Sequence, residues 1–226
     1  MTLTKDNVDL YELLRREGGS LLYEGAEGCV VREQGKGSVL TDILNGAALC
    51  RVLRSLELPD FWQITVKSTD ARRAVNEAFG FTGENPCSQW MYVSGQPPVQ
   101  TPHDIRPLTP EYAEQAASHY HLVDNSLSYL RKRIAAGRMW GLFEGGKLAG
   151  FIGTHPEGAI GMLEILPEYR RKGYGYALEA FLIDWHLQRG WHPYCHVVDG
   201  NEASLHLQKR LGMEQAALPA IWAWKE

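Results

Sequence analysis

The spacing of apolar residues changes period repeatedly along the chain, and each change predicts an element. Near the start, Val8, Leu10, Leu13 and Leu14 fall on one side of an amphipathic helix. "SVLTDILNGAALCRVLRSL", residues 38–56, predicts a strand and a helix. "FWQITVKSTDARRAVNEAFGF", residues 61–81, predicts a strand, a polar cap, a helix and a glycine turn. In "DIRPLTPEYAEQAASHY", residues 104–120, a short strand precedes a helix capped by Thr109 with Pro110 at its first position. Leu127, Leu130 and Ile134 space a second helix, which Gly137 ends. "RMWGLFEGGKLAGFIGTHP" reads as two strands joined at "EGGK", a hairpin signal. "GAIGMLEILP" is a further strand, stopped by Pro167. A helix follows from about Tyr174 to Gln188, with Ala177, Phe181 and Trp185 on its buried side. The strand "WHPYCHVVD", the helix "NEASLHLQKRLG", capped by Asn201 and closed by Gly212, and the strand "AIWAW" complete the pattern.

The two halves of the pattern resemble each other. Setting Gly80 over Gly212 brings Val66 over Val198, Ala71 over Ala203 and Trp90 over Trp222, without a gap. The shared order of strand, cap, helix, glycine turn and strand predicts an internal duplication. Residues 94–110, "SGQPPVQTPHDIRPLTP", are proline-rich and carry no period, as a linker does. The expected organisation is a domain over 1–95, a linker over 96–102 and a second domain over 103–226.

Composition narrows the class. The chain has 226 residues, 44% hydrophobic and 22% charged, with a net charge of −4. A slightly acidic balance argues against general nucleic-acid or anionic-membrane binding, which uses an extended basic surface. No apolar run reaches the ~18–20 residues of a membrane span. Cys29, Cys50, Cys87 and Cys195 are scattered with no CxxC pair, as in a reduced, cytoplasmic protein. His192, Cys195 and His196 cluster, but no second ligand pair accompanies them, so strand residues of mixed polarity are the simpler reading than a metal site.

Against that acidic background, "EYRRKGYGYALEAF", residues 168–181, gathers Arg170, Arg171 and Lys172 just before Gly173 and Gly175, where a strand gives way to a helix. A helix N-terminus offers unpaired N–H groups and a positive dipole end, and glycines let a ligand approach the backbone closely. Together these suit a pyrophosphate. Leu178 stands where a G-x-G-x-x-G fingerprint needs its third glycine, and G-x-x-x-x-G-K-[ST] is absent.

Arg170, Gly173 and Gly175 in R-x-x-G-x-G, after Ile165 and Pro167 in I-x-P, instead resemble the acyl-CoA loop of the GNAT N-acetyltransferase superfamily. "NEASLHLQKRLGM" is similar to the N-E-A-S-x-x-L-x-x-x-L-G-F motif of its glycine N-acyltransferase-like branch. The resemblance covers about residues 103–226. It implies a mixed α/β fold whose centrally splayed sheet is flanked by helices, here as two tandem GNAT-like domains, the first degenerate because it lacks the basic glycine turn. It implies acetyl-CoA as acyl donor, bound by Ile165, Leu166, Arg170, Arg171, Lys172, Gly173, Tyr174, Gly175 and Asn201. Pantetheine would then enter between strands Leu163–Leu166 and Tyr194–Val198 and pair with the first, as an added strand would. Backbone N–H groups near Ile165 and Leu166 would be the oxyanion donors.

The implied reaction is direct transfer of an acetyl or other short acyl group to the primary amine of a small molecule or amino-acid-like acceptor, which needs placement, a base and a proton for the leaving thiolate. Glu164 and His196 are the candidate bases. Gln208 stands where many relatives carry a tyrosine that protonates the thiolate, and an amide cannot give up a proton at neutral pH; Tyr194, His206 or water is left for that step. The alternative is a non-catalytic acyl-CoA sensor or interaction protein. The sequence leaves the acceptor and the choice between monomer and homodimer open.

Overall fold

A computed structural model describes residues 1–16, 18–34, 37–58, 61–122 and 125–225. In chain order its elements are α1 (Val8–Arg15), β1 (Gly19–Gly25), β2 (Gly28–Glu33), β3 (Ser38–Thr41), α2 (Gly46–Ser55), β4 (Gln63–Val66), α3 (Thr69–Phe79), β5 (Gly83–Met91), β6 (Asp104–Pro107), α4 (Ala113–Ala117), α5 (Ser126–Ala135), β7 (Met139–Glu144), β8 (Lys147–Thr154), β9 (Ile160–Ile165), α6 (Tyr174–Leu187), β10 (Tyr194–Val198), α7 (Glu202–Leu211) and β11 (Glu214–Trp224). They form two compact units. One holds residues 1–91, 194–205 and 213–226, the other residues 92–193 and 206–212. Both are mixed α/β.

In the first unit the strands run in the order β1-β2-β3-β4-β11-β5-β10. Among the described residues of this unit, only β3 and β4 pair in parallel. Alternation along each strand sends side chains to opposite faces. Val30 and Val39 join the core under α2 and α3. Their neighbours Val31 and Leu40 instead pack on Leu10 and Leu13 of α1. The sequence pattern did not show β1 and β2 as a hairpin; Gly28, at φ 133°, starts its return strand.

The ladders of this unit bear on the repeat. β11 lies antiparallel on β4, with Ile221 opposite Val66. β5 lies antiparallel on β10, with Cys87 opposite Val198. The alignment that sets Val66 over Val198 therefore nearly superposes these ladders, and β5 and β11 pair with each other between them. The compact units thus cut the chain elsewhere than at residues 96–102: the last strand of each sequence repeat pairs with a strand of the other.

The second unit has the antiparallel order β9-β8-β7-β6. "EGGK" forms the expected turn: Glu144 pairs with Lys147, and Gly145 and Gly146 take φ 58° and 78°, the two left-handed positions of a tight hairpin. α4 and α5 bury Ala113, Ala116, Leu130 and Ile134 with Phe143, Phe151 and Met162. α6 packs on β7, β8 and β9. Its buried residues include Leu178, Glu179, Leu182, Ile183 and His186 as well as Ala177. Phe181 and Trp185, expected on the buried side, are half-buried and stand edge-on to Trp140. Beside Glu164, the β8–β9 register breaks and Met162 takes φ 55°, a bulge that re-aims the strand.

Among the described residues, no helix is long and apolar enough to cross a membrane. All four cysteines are buried, and none forms a disulfide. Burial raises the thiol pKa of Cys29 and Cys50, and that of Cys87 to about 12, so these three are poor nucleophiles.

Candidate functional site

The basic glycine turn connects β9 to α6 as the pattern predicts. Leu166 is extended, Pro167–Tyr169 make one turn of 3-10 helix, and the chain then enters α6 through two left-handed residues, Arg171 at φ 62° and Gly173 at φ 82°. Gly173 is the N-cap and supplies no side-chain hydrogen bond to α6. The N-cap residue therefore gives the first-turn N–H groups of this 14-residue helix no side-chain partner, and two left-handed residues lead into it, a backbone that suits an anion.

Gly175 sharpens the case. A Cβ placed there would meet nothing nearer than Leu207 Cδ2 at 3.8 Å, with Ile165 and Leu163 at 4.0 Å. It has no positive φ, and a helical glycine costs about 0.5–1 kcal/mol relative to alanine. The fold alone gives no reason for glycine at this position, whereas close approach of a ligand does.

The corresponding end of α2 differs at each point. Asn45 caps it, its side chain accepting from Ala48 N. Asp70 Oδ2 accepts from Gly46 N at 2.7 Å, and that bond, helped by Arg73, lowers the Asp70 pKa. A Cβ on Gly46 would lie 2.5 Å from Ala74 Cβ and 2.7 Å from the Asp70 carbonyl oxygen. A carboxylate of the chain itself already occupies this helix end, and packing closes it.

The second unit brings together Glu164, Ile165, Leu166 and residues 170–175. Glu164 is half-buried on β9. Desolvation raises its carboxyl above the usual range, and the charges of Arg170, His119 and His121 pull it part of the way back. Such a carboxyl is a stronger base than an exposed one. The basic residues do not act as one cluster. Arg170 Nε donates to the Ile165 carbonyl at 3.0 Å. Lys172 pairs with Glu144 at 2.8 Å. Arg171 is exposed. The Leu166 N–H, expected as an oxyanion donor, is engaged by the Ala149 carbonyl at 2.9 Å.

His196 and Asn201 belong to the first unit. Asn201 caps α7, its Oδ1 accepting from Ser204 N at 3.1 Å. His196 has both ring nitrogens in use. Trp222 Nε1 donates to Nδ1 at 3.2 Å, and Nε2 contacts Gln89 Oε1 at 2.8 Å. The tautomer that satisfies both is protonated on Nε2. It leaves no open lone pair to take a proton from an acceptor.

Sequence reasoning missed Glu144, His119, His121 and Glu179. In the sequence Glu144 reads only as a turn residue, and no local signal ties it to Lys172, 28 positions on. Glu179 falls on a helix read as having an apolar side, although its charge was visible there. Among the described residues, no group of three His, Cys, Asp or Glu could hold a metal ion.

Residues 103–213 match the family model described as acetyltransferase (GNAT) family. Solved structures share the fold over nearly the whole chain. A Drosophila protein is 18% identical with a TM-score of 0.70, covering 98% of this chain and 88% of its own. A structure titled as a putative GNAT acetyltransferase from Novosphingobium aromaticivorans is 16% identical with a TM-score of 0.59, covering 99% and 100%. A tandem GNAT protein from the clavulanic acid biosynthesis pathway is 17% identical with a TM-score of 0.50, covering 96% and 87%. No curated protein matches the chain in sequence.

Proposed function

Residues 103–213 match the acetyltransferase (GNAT) family, and from that premise we propose that the chain is an N-acyltransferase moving an acetyl or other short acyl group from acyl-CoA directly to the primary amine of a small molecule or amino-acid-like acceptor. The observation that carries the reading is the uncapped, glycine-opened N-terminus of α6 in the same unit as a desolvated carboxyl, Glu164. Acyl-CoA supplies the activated thioester. The first-turn N–H groups of α6 bind its pyrophosphate, Gly175 gives it room, and Arg171 adds charge. Glu164 takes the proton from the acceptor ammonium, and His196 is a structural residue. The N-terminal repeat binds no CoA, because Asp70 holds the helix end where an anion would sit.

Thiol release from acetyl-CoA, measured with purified protein and a panel of small amines, tests the reading. Amine-dependent release supports it. Acetyl-CoA binding with no release for any amine would favour the sensor, a reading suggested by Gln208, whose amide is turned to Glu179 rather than offering an ionisable hydroxyl. Gly175→Ala should raise the Tm of the free protein slightly, since alanine is the better helix residue. The same methyl should weaken acetyl-CoA binding by roughly tenfold, through about 1–2 kcal/mol of overpacking against the ligand. Unchanged affinity in that variant would move the ligand away from α6.

A further inference from the structure

Glu179 is a carboxyl with almost no access to water, 2% exposed in the middle of α6. Among the described residues its one hydrogen-bond partner is Gln208 of α7, itself 3% exposed, whose Nε2 donates to Glu179 Oε2 at 3.3 Å. Gln208 Oε1 is buried with no partner. The carboxylate thus accepts from the amide nitrogen, while the amide carbonyl is left without a donor. A proton on Glu179 resolves the mismatch. The acid O–H donates to Gln208 Oε1 while Nε2 donates back, closing an acid–amide pair in which both buried groups are satisfied.

The pair adjoins the proposed acyl-CoA site. Glu179 follows Gly175 by four residues, one turn along the same helix face. Leu207, next to Gln208, is the side chain nearest to the open space at Gly175. Gln208 is therefore one residue from the wall of that open space. Resting on the acyl-CoA reading above, we propose that Glu179 is a positioning residue of that site: as a neutral acid it holds Gln208, and with it the wall beside Gly175, in the geometry that accepts acyl-CoA, and its ionisation opens the pair and weakens binding.

The surroundings leave this titration to the pair itself. Glu144 and Lys147 stand at the ends of β7 and β8, and Glu164 on β9. From α7 come Glu202, His206, Lys209 and Arg210, and on α6 Tyr174, Tyr176, Asp184 and, two turns on, His186. The shift of the Glu179 carboxyl has two causes, burial and the Gln208 amide. Burial raises its pKa to about 7, against a smaller opposite effect of the Gln208 amide.

Calorimetry with acetyl-CoA between pH 6 and 8.5 tests the proposal. If only the neutral form binds, wild-type affinity should fall by up to about tenfold per pH unit above neutrality. Glu179→Gln cannot ionise and can still pair with Gln208, so its affinity should stay level with pH and match the wild type near pH 6. Glu179→Met should be level too, but weaker throughout, because it releases Gln208. A purely structural carboxyl would lower stability in both variants without separating their pH profiles from the wild type.

Parallel profiles for wild type and Glu179→Gln would overturn the proposal. Should the variants not fold, wild type alone decides. At pH 8, where phosphate groups with a second pKa near 6 are already ionised, binding should take up a proton, approaching about one per site, read from the enthalpy in buffers of different ionisation heat. No uptake would overturn the proposal while leaving acyl-CoA binding intact. No binding by wild type at pH 6 would instead remove the acyl-CoA reading, and the proposal with it.

Discussion

Glu164→Gln is expected to lower kcat/KM by ~10²–10⁴ while leaving acetyl-CoA affinity unchanged, the ordinary cost of removing a general base. The change keeps the shape of the side chain and its place on β9 but removes the lone pair that takes the acceptor's proton. The pH dependence is specific. Desolvation raises the Glu164 carboxyl, and only its ionised form is a base. Wild-type kcat/KM should therefore climb as pH rises through that raised pKa, and the variant should lose this limb. Its deficit should then shrink at higher pH, as more of the acceptor amine arrives already neutral. His196→Gln should behave differently. The imidazole lies between Trp222 and Gln89, so its loss should lower stability and leave kcat within a fewfold of wild type. A deficit in Glu164→Gln that ignored pH would make Glu164 a residue that places the acceptor, and equal deficits in both variants would return His196 to the chemistry.

The parts of this site that the sequence revealed are those whose cause is local. A strand that stops at proline, a basic run, two glycines and a helix are consecutive in the chain, and the backbone follows them: Gly173 takes the left-handed conformation that a glycine N-cap permits. The "EGGK" turn and the Asn201 cap are local in the same sense. So are the glycine stops, with Gly80, Gly137 and Gly212 all at positive φ. The expectations that changed depend on partners distant in sequence. Lys172 looked like ligand charge until Glu144 was placed beside it. The Leu166 N–H looked free until β8 supplied the Ala149 carbonyl. On α6, three apolar positions at regular spacing suggested a single buried side, but the helix is covered over a wider arc, which takes in Glu179 and His186.

The exchange of final strands was not legible for a related reason. Alignment of the repeats gives the identity of β5 and β11 but not their neighbours. A strand's alternation says which face is buried, not which strand lies beside it. The β1–β2 hairpin has a signal in the sequence, the turn-forming "EGAEG" between two runs of mixed polarity, but β1 alternates weakly and has no buried position.

Lys67→Ala is expected to destabilise the protein by ~3–5 kcal/mol, the usual cost of leaving one charge of a buried pair alone. Lys67 of the segment after β4 and Asp9 of α1 are both fully buried, with Nζ and Oδ2 2.6 Å apart. Nζ also donates to Gln89 Oε1 at 2.7 Å, the same oxygen that His196 contacts. Asp9 Oδ1 already lacks a hydrogen-bond partner, so without the ammonium the carboxylate would have little to hold it in a dry interior. The Tm should fall by roughly 6–20 °C for a chain of this length. Asp9→Leu combined with Lys67→Met removes both charges and fills their volume, and should recover most of the loss, because such replacements of buried pairs are often neutral. The large cost of the single change and the small cost of the double belong together: the pair adds little net stability over an apolar substitute, yet neither half is tolerated alone. A double variant as unstable as Lys67→Ala would show that the ammonium's bond to Gln89, and through that oxygen the setting of His196, matters more than the charge on Asp9.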